Sequence, residues 1–87
     1  MKKIVVHRDN IAKHGITRQE VEQCFRSGNR QFKRKAGHDV YSIIAQTSAG
    51  RYLELLYSDD PDKWFVFHAR DAKPWEIKLF KRKGKRQ

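Results

Sequence analysis

The sequence predicts an α+β domain whose elements follow the order β-α-α-β-β-β(-β)-α. Two observations support this order: a helix with a complete start signal lies near the N-terminus, and β-branched and aromatic runs separated by turn residues follow it. Since the chain has 87 residues, we expect one domain over residues 1–83. Residues 84–87 are basic and carry no apolar side chain, which predicts a flexible tail.

The chain begins with a strand and a short helix. The segment KIVVH, Lys3–His7, is apolar enough for a first strand. The segment RDNIAKHG then predicts a short helix that ends at Gly15, because glycine readily takes the left-handed conformation of a helix end.

The second helix has a strong start signal. Thr17 is a candidate N-cap and Glu20, three residues later, completes a capping box. Ile16 and Val21 have the spacing of a hydrophobic staple, which packs the residue before the cap against the second turn. Gly28 is a suitable end for this helix.

The next segments predict a sheet. RQFKRK is either a short strand or an arm, DVYSIIAQT and RYLELLYS form a hairpin around SAG, and WFVFHA adds a third antiparallel strand after the turn DDPDK. Strict alternation along this last strand places His68 and Arg70 on one face, with Val66 and Trp64 behind them.

The last helix is predicted to begin near Asp71, which can cap it, with Pro74 in the first turn, where a missing N–H costs little. Ala72, Trp75 and Leu79 then form an apolar stripe that would pack on the sheet.

The charge balance indicates a polyanionic partner. The formal net charge is +10, which favours nucleic acid first, an anionic membrane second and an acidic protein third, although charge alone can also serve solubility. Basic residues cluster at 26–35 and 78–86, where they could contact phosphates without sequence specificity. The candidate nucleic-acid-binding residues are Lys13, Arg34, Lys35, Lys78, Lys81, Arg82 and Lys83.

Metal and thiol chemistry receive little support. His7, His14, His38 and His68 are scattered and lack a metal-ligand spacing, so we expect no metal and no cofactor. Cys24 is the only cysteine and lies on the apolar stripe of the second helix, which favours a core residue over a nucleophile. The absence of a long apolar run and of disulfide pairs predicts a cytoplasmic protein without a membrane partner.

The remaining imidazole and basic groups suit RNA cleavage. RNA carries its own nucleophile, the 2′-hydroxyl, so the protein must supply a proton acceptor, a proton donor and positive charge near the phosphate. His68 and Arg70 end a strand and could form a pocket mouth, but His68 could equally be a satisfied boundary residue and Arg70 the partner of Glu76. His14 closes the first helix, where the helix dipole alone would favour it, and Arg51 opens a strand at an exposed turn.

Three motifs resemble a known family. NIAKHGITxxEV, Asn10–Val21, is similar to the N-x-x-K-H-G-[IV]-[ST]-x-x-E-[AV] signature of BrnT-type toxins. TSAGRYL, Thr47–Leu53, resembles their T-x-x-G-R-x-L hairpin, and ARxAxxxE, Ala69–Glu76, resembles their strand-to-helix motif. Together the motifs occur in the family's order over roughly three quarters of the chain.

The resemblance implies a RelE-like fold, with a small antiparallel sheet, two N-terminal helices and a C-terminal helix packed on it. It implies a metal-independent endoribonuclease, the toxin of a type II toxin–antitoxin pair, which cleaves mRNA, free or on the ribosome, and inhibits translation. It also implies a cognate antitoxin, and operator DNA as a partner only of the complex. His14, Arg51 and Arg70 match motif positions and are candidate catalytic residues, and His68 is the other candidate for proton transfer.

The chain also departs from the family pattern. Phe80 stands where the family often has a tyrosine, and VVHRDN, with His7, replaces an aromatic-Trp-Asp segment. Two other functions therefore stay open: a non-catalytic RNA- or ribosome-binding module, and a subunit of a DNA-binding repressor complex.

Overall fold

The computed structural model describes residues 3–26 and 31–85, without the side chains of Arg26 and of residues 83–85. The predicted order of elements is confirmed, and the segment left open between a strand and an arm is a strand. The predicted helix end at Gly28 and the last two residues of the predicted tail lie outside the described residues. The elements are β1 (Lys3–Val6), α1 (Arg8–Ala12), α2 (Arg18–Arg26), β2 (Phe32–Gly37), β3 (Val40–Gln46), β4 (Tyr52–Asp59), β5 (Lys63–Asp71) and α3 (Pro74–Lys85).

The five strands form one sheet in the order β1-β5-β4-β3-β2. Strands β2 to β5 are antiparallel neighbours, as the hairpin signals predict. Strand β1 runs parallel to β5, so the sheet, which the sequence predicts to be antiparallel, is mostly antiparallel, with one parallel pair at this edge. The parallel neighbours β1 and β5 are separated in the chain by two helices and three strands, which satisfies the need of parallel strands for a long connection.

Helices α1 and α2 pack on one face of the sheet and form the main core with it. The predicted start of α2 is confirmed: the Thr17 amide donates to Glu20 Oε1 at 3.0 Å, and the Glu20 amide donates to Thr17 Oγ1 at 3.2 Å. Ile16 and Val21 are both buried in this core, as a hydrophobic staple requires. The core residues are Ile4, Ile11, Ile16, Val21, Cys24, Ile43, Ala45, Leu53, Leu55, Tyr57, Val66 and Ala69.

Helix α3 covers the opposite face. Its first residue and the set of side chains that it buries both differ from the prediction. It begins at Pro74, while Asp71 is the last residue of β5 and does not cap it. The Lys73 amide instead donates to the Glu76 carboxylate at 2.8 Å. Glu76 and Phe80, four residues apart, are buried, whereas Trp75 is half exposed. The predicted stripe is wrong because the buried carboxylate of Glu76, paired with Arg70, lies on the side of the helix that faces the sheet, where apolar spacing alone predicts an apolar residue.

Strand β5 contains an irregularity that corrects its predicted faces. Val66 pairs with Tyr57 but His68 pairs with Leu56, so Phe67 is an extra residue in β5. Such a bulge reverses the alternation of side chains beyond it. Val66 therefore belongs to the core under α1 and α2, while His68 and Arg70 share the other face. The two residues do lie on one face, as predicted, but Val66 and Trp64 are not behind them.

Candidate functional site

The two candidate histidines meet at the end of β5. The rings of His14 and His68 lie edge to face, with 5.9 Å between their centroids. His14 is carried by the turn after α1, in which Gly15 has φ +66°, a conformation that glycine adopts without strain. Asn10 Nδ2 donates to the Phe67 carbonyl at 2.8 Å, which fixes α1 against the bulge. Both histidines are candidates from the sequence, and the structure brings them together.

Arg51 forms hydrogen bonds that connect the turn carrying His14 to α2 and to the end of β5. Its Nε and Nη2 donate to the two carboxylate oxygens of Asp71 at 2.7 and 3.2 Å. Nη2 also donates to the His14 carbonyl at 3.2 Å, and Nη1 donates to the Gly15 carbonyl at 3.1 Å and to Glu20 at 3.2 Å. All five N–H groups of the guanidinium are thereby directed at protein acceptors. A role for Arg51 as a phosphate ligand stays a prediction, because a phosphate would have to displace one of them.

Asp71 is held in its charged form by this arrangement. The hydrogen bond from Arg51 lowers the pKa of Asp71; slight burial opposes that shift, and the charges of Arg51 and His14 add to it. The same hydrogen bond raises the pKa of Arg51. Asp71 is therefore an anion near the His14 imidazole, and its side chain is 64% exposed.

Arg70 belongs to a different network on the α3 face. It forms a bidentate pair with Glu76, with Nη1–Oε1 and Nη2–Oε2 distances of 2.8 and 2.9 Å. Nη1 also donates to the Asp71 carbonyl at 3.0 Å, and Nε lies 3.6 Å from Glu54. The hydroxyl of Ser42 donates to the other oxygen of Glu54 at 2.6 Å. One N–H of Nη2 has no acceptor among the described residues. The pairing of Arg70 with Glu76 is confirmed, and its catalytic role stays a prediction.

Glu76 is a buried carboxylate that remains charged. Burial raises its pKa, but hydrogen bonds from Arg70 and the Lys73 amide, with the charges of Arg70 and Arg34, outweigh burial and leave the pKa below its usual value. Its side chain is only 1% exposed. The Arg70–Glu76 pair is therefore a stable part of the site wall.

Arg34 lies between α3 and a pocket on the same face of the sheet. Its Nη2 is 4.0 Å from Glu76 Oε2, and its guanidinium carbon is 5.6 Å from the centroid of the Trp75 ring. The pocket has a volume of about 320 Å³. The sequence contains no signal for this pocket, because its residues come from three strands whose mutual register cannot be deduced from sequence spacing. They are Arg34, Lys35, Ala36, Ser42, Glu54 and Leu56.

The other candidate basic residues are dispersed over the surface. Lys13 is exposed in the turn that carries His14, and Lys78, Lys81 and Arg82 are exposed on α3. The Lys81 ammonium lies 5.8 Å from the Tyr52 ring centroid. The side chain of Lys83 lies outside the described part of the chain.

Phe80, which stands where the resembling family often has a tyrosine, is an interior residue. Its ring is 2% exposed and packs edge to face on Tyr52, with centroids 5.6 Å apart.

The described residues hold no group of three or more His, Cys, Asp or Glu side chains that could bind a metal ion. None of their helices has the length and apolar character needed to cross a membrane.

Comparison with known proteins shows the fold. No protein-family model and no curated protein sequence matches this chain. The structure is similar to the crystal structure of the Brucella abortus ribonuclease toxin BrnT, with a TM-score of 0.65, and the match covers 84% of this chain and 99% of that chain. The two sequences are 18% identical, so the match establishes a shared BrnT-like fold. The fold that the sequence motifs implied is confirmed.

Proposed function

We propose that this protein is the toxin of a toxin–antitoxin pair, an endoribonuclease that cleaves mRNA and so inhibits translation. The observation that carries the proposal is the contact between His14 and His68, beside Arg70 on β5, in a fold shared with the ribonuclease toxin BrnT. Two imidazoles in contact offer a proton acceptor and a proton donor at one place. The positive net charge of the chain favours an RNA substrate.

The proposed reaction needs no metal ion. One imidazole accepts the proton of the 2′-hydroxyl as its oxygen attacks the adjacent phosphorus. The other imidazole donates a proton to the 5′-oxygen as the P–O5′ bond breaks. The products are a 2′,3′-cyclic phosphate and a 5′-hydroxyl, so the protons balance and no water is consumed.

We assign different tasks to the two arginines. Arg70 keeps one N–H that can donate to a non-bridging phosphate oxygen, where negative charge grows in the transition state. Arg51 holds the backbone of His14 and so positions the imidazole. The basic residues proposed to contact the RNA backbone are Lys13, Arg34, Lys35, Lys78, Lys81, Arg82 and Lys83.

Substitution of each histidine tests the assignment. His14→Gln and His68→Gln should each lower the cleavage rate of an mRNA transcript by about 100-fold or more, since each removes a proton-transfer group. His38→Gln is the matched control, because the side chain of His38 is 95% exposed. Cleavage is measured in excess EDTA, and the new RNA ends are identified by mass spectrometry. Intact RNA with the unsubstituted protein, both free and on ribosomes, would contradict the proposed activity.

A second function, a non-catalytic RNA- or ribosome-binding module, is favoured by one observation. Both candidate arginines are paired with carboxylates, and Arg51 has no N–H left for a substrate. This function predicts salt-dependent RNA binding without products, and equal binding by the two histidine variants. The cleavage assay therefore distinguishes the two functions.

We also propose a protein partner for this chain. A cognate antitoxin would bind the basic toxin and neutralise it, and the complex, rather than the toxin alone, would contact operator DNA. Growth arrest on expression of this chain, relieved by coexpression of a short reading frame adjacent to its gene, would support this pairing. Growth arrest that no adjacent reading frame relieves would contradict it.

A further inference from the structure

Trp75 is exposed in a way that packing does not explain. It is 50% exposed, and it is the one large apolar side chain in the described part of the chain that is exposed. Arg34 lies over its ring, with 5.6 Å from the guanidinium carbon to the ring centroid, and the same guanidinium is 5.9 Å from the Phe32 ring. An aromatic face next to a fixed cation is the arrangement on which single-stranded nucleic acids stack their bases.

The pocket beside Arg34 offers a second surface for a base. Its volume of about 320 Å³ lies at the lower end of small-molecule sites. Leu56 gives it an apolar wall, and the buried side chains of Ser42 and Glu54 give it a polar one. One oxygen of Glu54 accepts from Ser42 and the other is 3.6 Å from Arg70 Nε. Because each carboxylate oxygen can accept more than one hydrogen bond, Glu54 retains capacity for an N–H donor.

We propose that Trp75, Arg34 and this pocket form a base-binding subsite for single-stranded RNA. One base stacks on Trp75, a neighbouring base enters the pocket, and Arg34 binds the phosphate between them. A carboxylate prefers a base that presents an exocyclic amine, as cytosine does, over uracil, which presents a carbonyl in the same place. The subsite thus gives the chain a base preference. This inference rests on the proposed function.

The subsite is continuous with the candidate cleavage site. The Glu76 carboxylate contacts Arg70 at 2.8 Å and lies 4.0 Å from Arg34. An RNA strand that places its reactive phosphate near Arg70 therefore reaches Arg34 within the neighbouring nucleotides. A protein partner is less well matched to this surface, since the ring lies beside the Arg34 cation and the pocket contains the Glu54 carboxylate.

Binding of uncleavable RNA tests the subsite separately from catalysis. Short 2′-O-methyl oligocytidylate and oligouridylate lack the nucleophile, so fluorescence anisotropy with the full chain reads binding alone. Trp75→Ala should bind oligocytidylate about tenfold more weakly than the unsubstituted protein, and Trp75→Phe should restore most of the affinity. Glu54→Gln should abolish the preference for oligocytidylate over oligouridylate. If the Glu54→Gln protein does not fold, the binding measured for Trp75→Ala decides the test.

Arg34→Gln and Lys33→Gln form a matched pair, because both remove one positive charge from β2. Lys33 lies 4.4 Å from the Tyr41 ring on the other face of the sheet. The loss of RNA affinity in Lys33→Gln measures the effect of removing one positive charge. Arg34→Gln should lose more RNA affinity than Lys33→Gln does. Equal binding by Trp75→Ala and the unsubstituted protein would overturn the subsite, even if the histidine variants confirm cleavage. Loss of binding to the antitoxin with unchanged RNA binding would overturn it as well and assign Trp75 to a protein interface.

Discussion

Arg51 and Arg70 show how two residues of one type acquire different roles from their acceptors. Arg51 is bound to two carboxylates and two carbonyls, which use every N–H it has. Arg70 binds one buried carboxylate in a bidentate pair and keeps an N–H on Nη2. Charge alone would make the two equivalent as phosphate ligands. The count of hydrogen-bond donors separates them, which is why we assign phosphate binding to Arg70.

The Cys24 thiol should be unreactive in the folded protein. The side chain is 1% exposed, and burial, with the negative charge of Glu20, raises the pKa of its thiol to about 12. Because the thiolate is the reactive form, the native protein at pH 8 should resist a maleimide reagent for hours. The denatured protein should react within minutes, as mass spectrometry can measure. Rapid labelling of the native protein would show that Cys24 is accessible and outside the core.

The short elements around the His14 turn depend on Arg51 for their arrangement. Helix α1 has only five residues, Arg8–Ala12, which is too short to be stable alone. The guanidinium ties the turn after it to the start of α2 and to the end of β5. A planar group that donates in several directions can do this, whereas an ammonium on a flexible stem cannot.

Arg51→Lys should therefore behave like Arg51→Ala in stability, although it keeps the charge. We expect both variants to lower the free energy of unfolding by about 2 kcal/mol, and the exposed Asp71 pair to account for less than about 1 kcal/mol of that. Urea denaturation at pH 7 measures the change. Lys63→Ala is the control, since it removes a half-exposed pair with Asp60 at 3.5 Å and should cost about 0.5 kcal/mol or less. A stable Arg51→Lys variant would show that charge, not geometry, is what Arg51 contributes.

The elements also show which parts of the fold local sequence can predict. The start of α2 depends on residues within one turn, Thr17 and Glu20, and is predicted correctly. The bulge at Phe67 depends on the register between β5 and β4, which neither strand reveals by itself. The burial of Glu76 depends on Arg70, which comes from another element. Predictions fail where a residue's environment is supplied by a distant segment.

The same distinction applies to the candidate site. The motifs predict His14, Arg51 and Arg70 as site residues, because these residues lie in short segments that resemble the family's motifs. The contact of His14 with His68 exists because α1 packs against β5 at the Phe67 carbonyl. Sequence spacing cannot predict this tertiary contact. The pocket is likewise invisible, since it requires β2, β3 and β4 in register.

At the scale of the whole molecule, one polar network joins both secondary-structure types. Ser42 on β3, Glu54 on β4, Arg70 on β5, Glu76 on α3 and Arg34 on β2 form a continuous chain of hydrogen bonds and ion pairs. It lies between α3 and the sheet, on the face without the main apolar core. Buried polar networks of this kind fix the position of an element when every member has a partner. Helix α3 is thus held by charge pairing as well as by Phe80.

The network makes stability depend on pH in a defined direction. The pKa of Glu76 is lower in the folded protein than the unfolded value of about 4.3. A carboxylate with a lowered folded pKa contributes stability that is present above the unfolded pKa and lost as the pH falls through the folded pKa. At neutral pH, Glu76→Gln should lower the free energy of unfolding by about 3 kcal/mol, because it leaves Arg70 without its main partner.

As the pH falls from the unfolded pKa of about 4.3 towards the lower folded pKa of Glu76, the unfolded chain takes up the proton before the folded protein does, so the difference between the two proteins should shrink. Urea denaturation of both proteins from pH 7 to pH 3 measures this convergence. Glu22→Gln is the control, because its i,i+4 pair with Arg18 has a 55% exposed arginine and should contribute about 0.5 kcal/mol or less. A difference that stays constant across this range would mean that the Glu76 carboxylate contributes through packing and not through its charge. The network would then hold α3 by its packing, and Asp71, whose pKa is also lowered by its hydrogen bond from Arg51, would be a source of acid sensitivity.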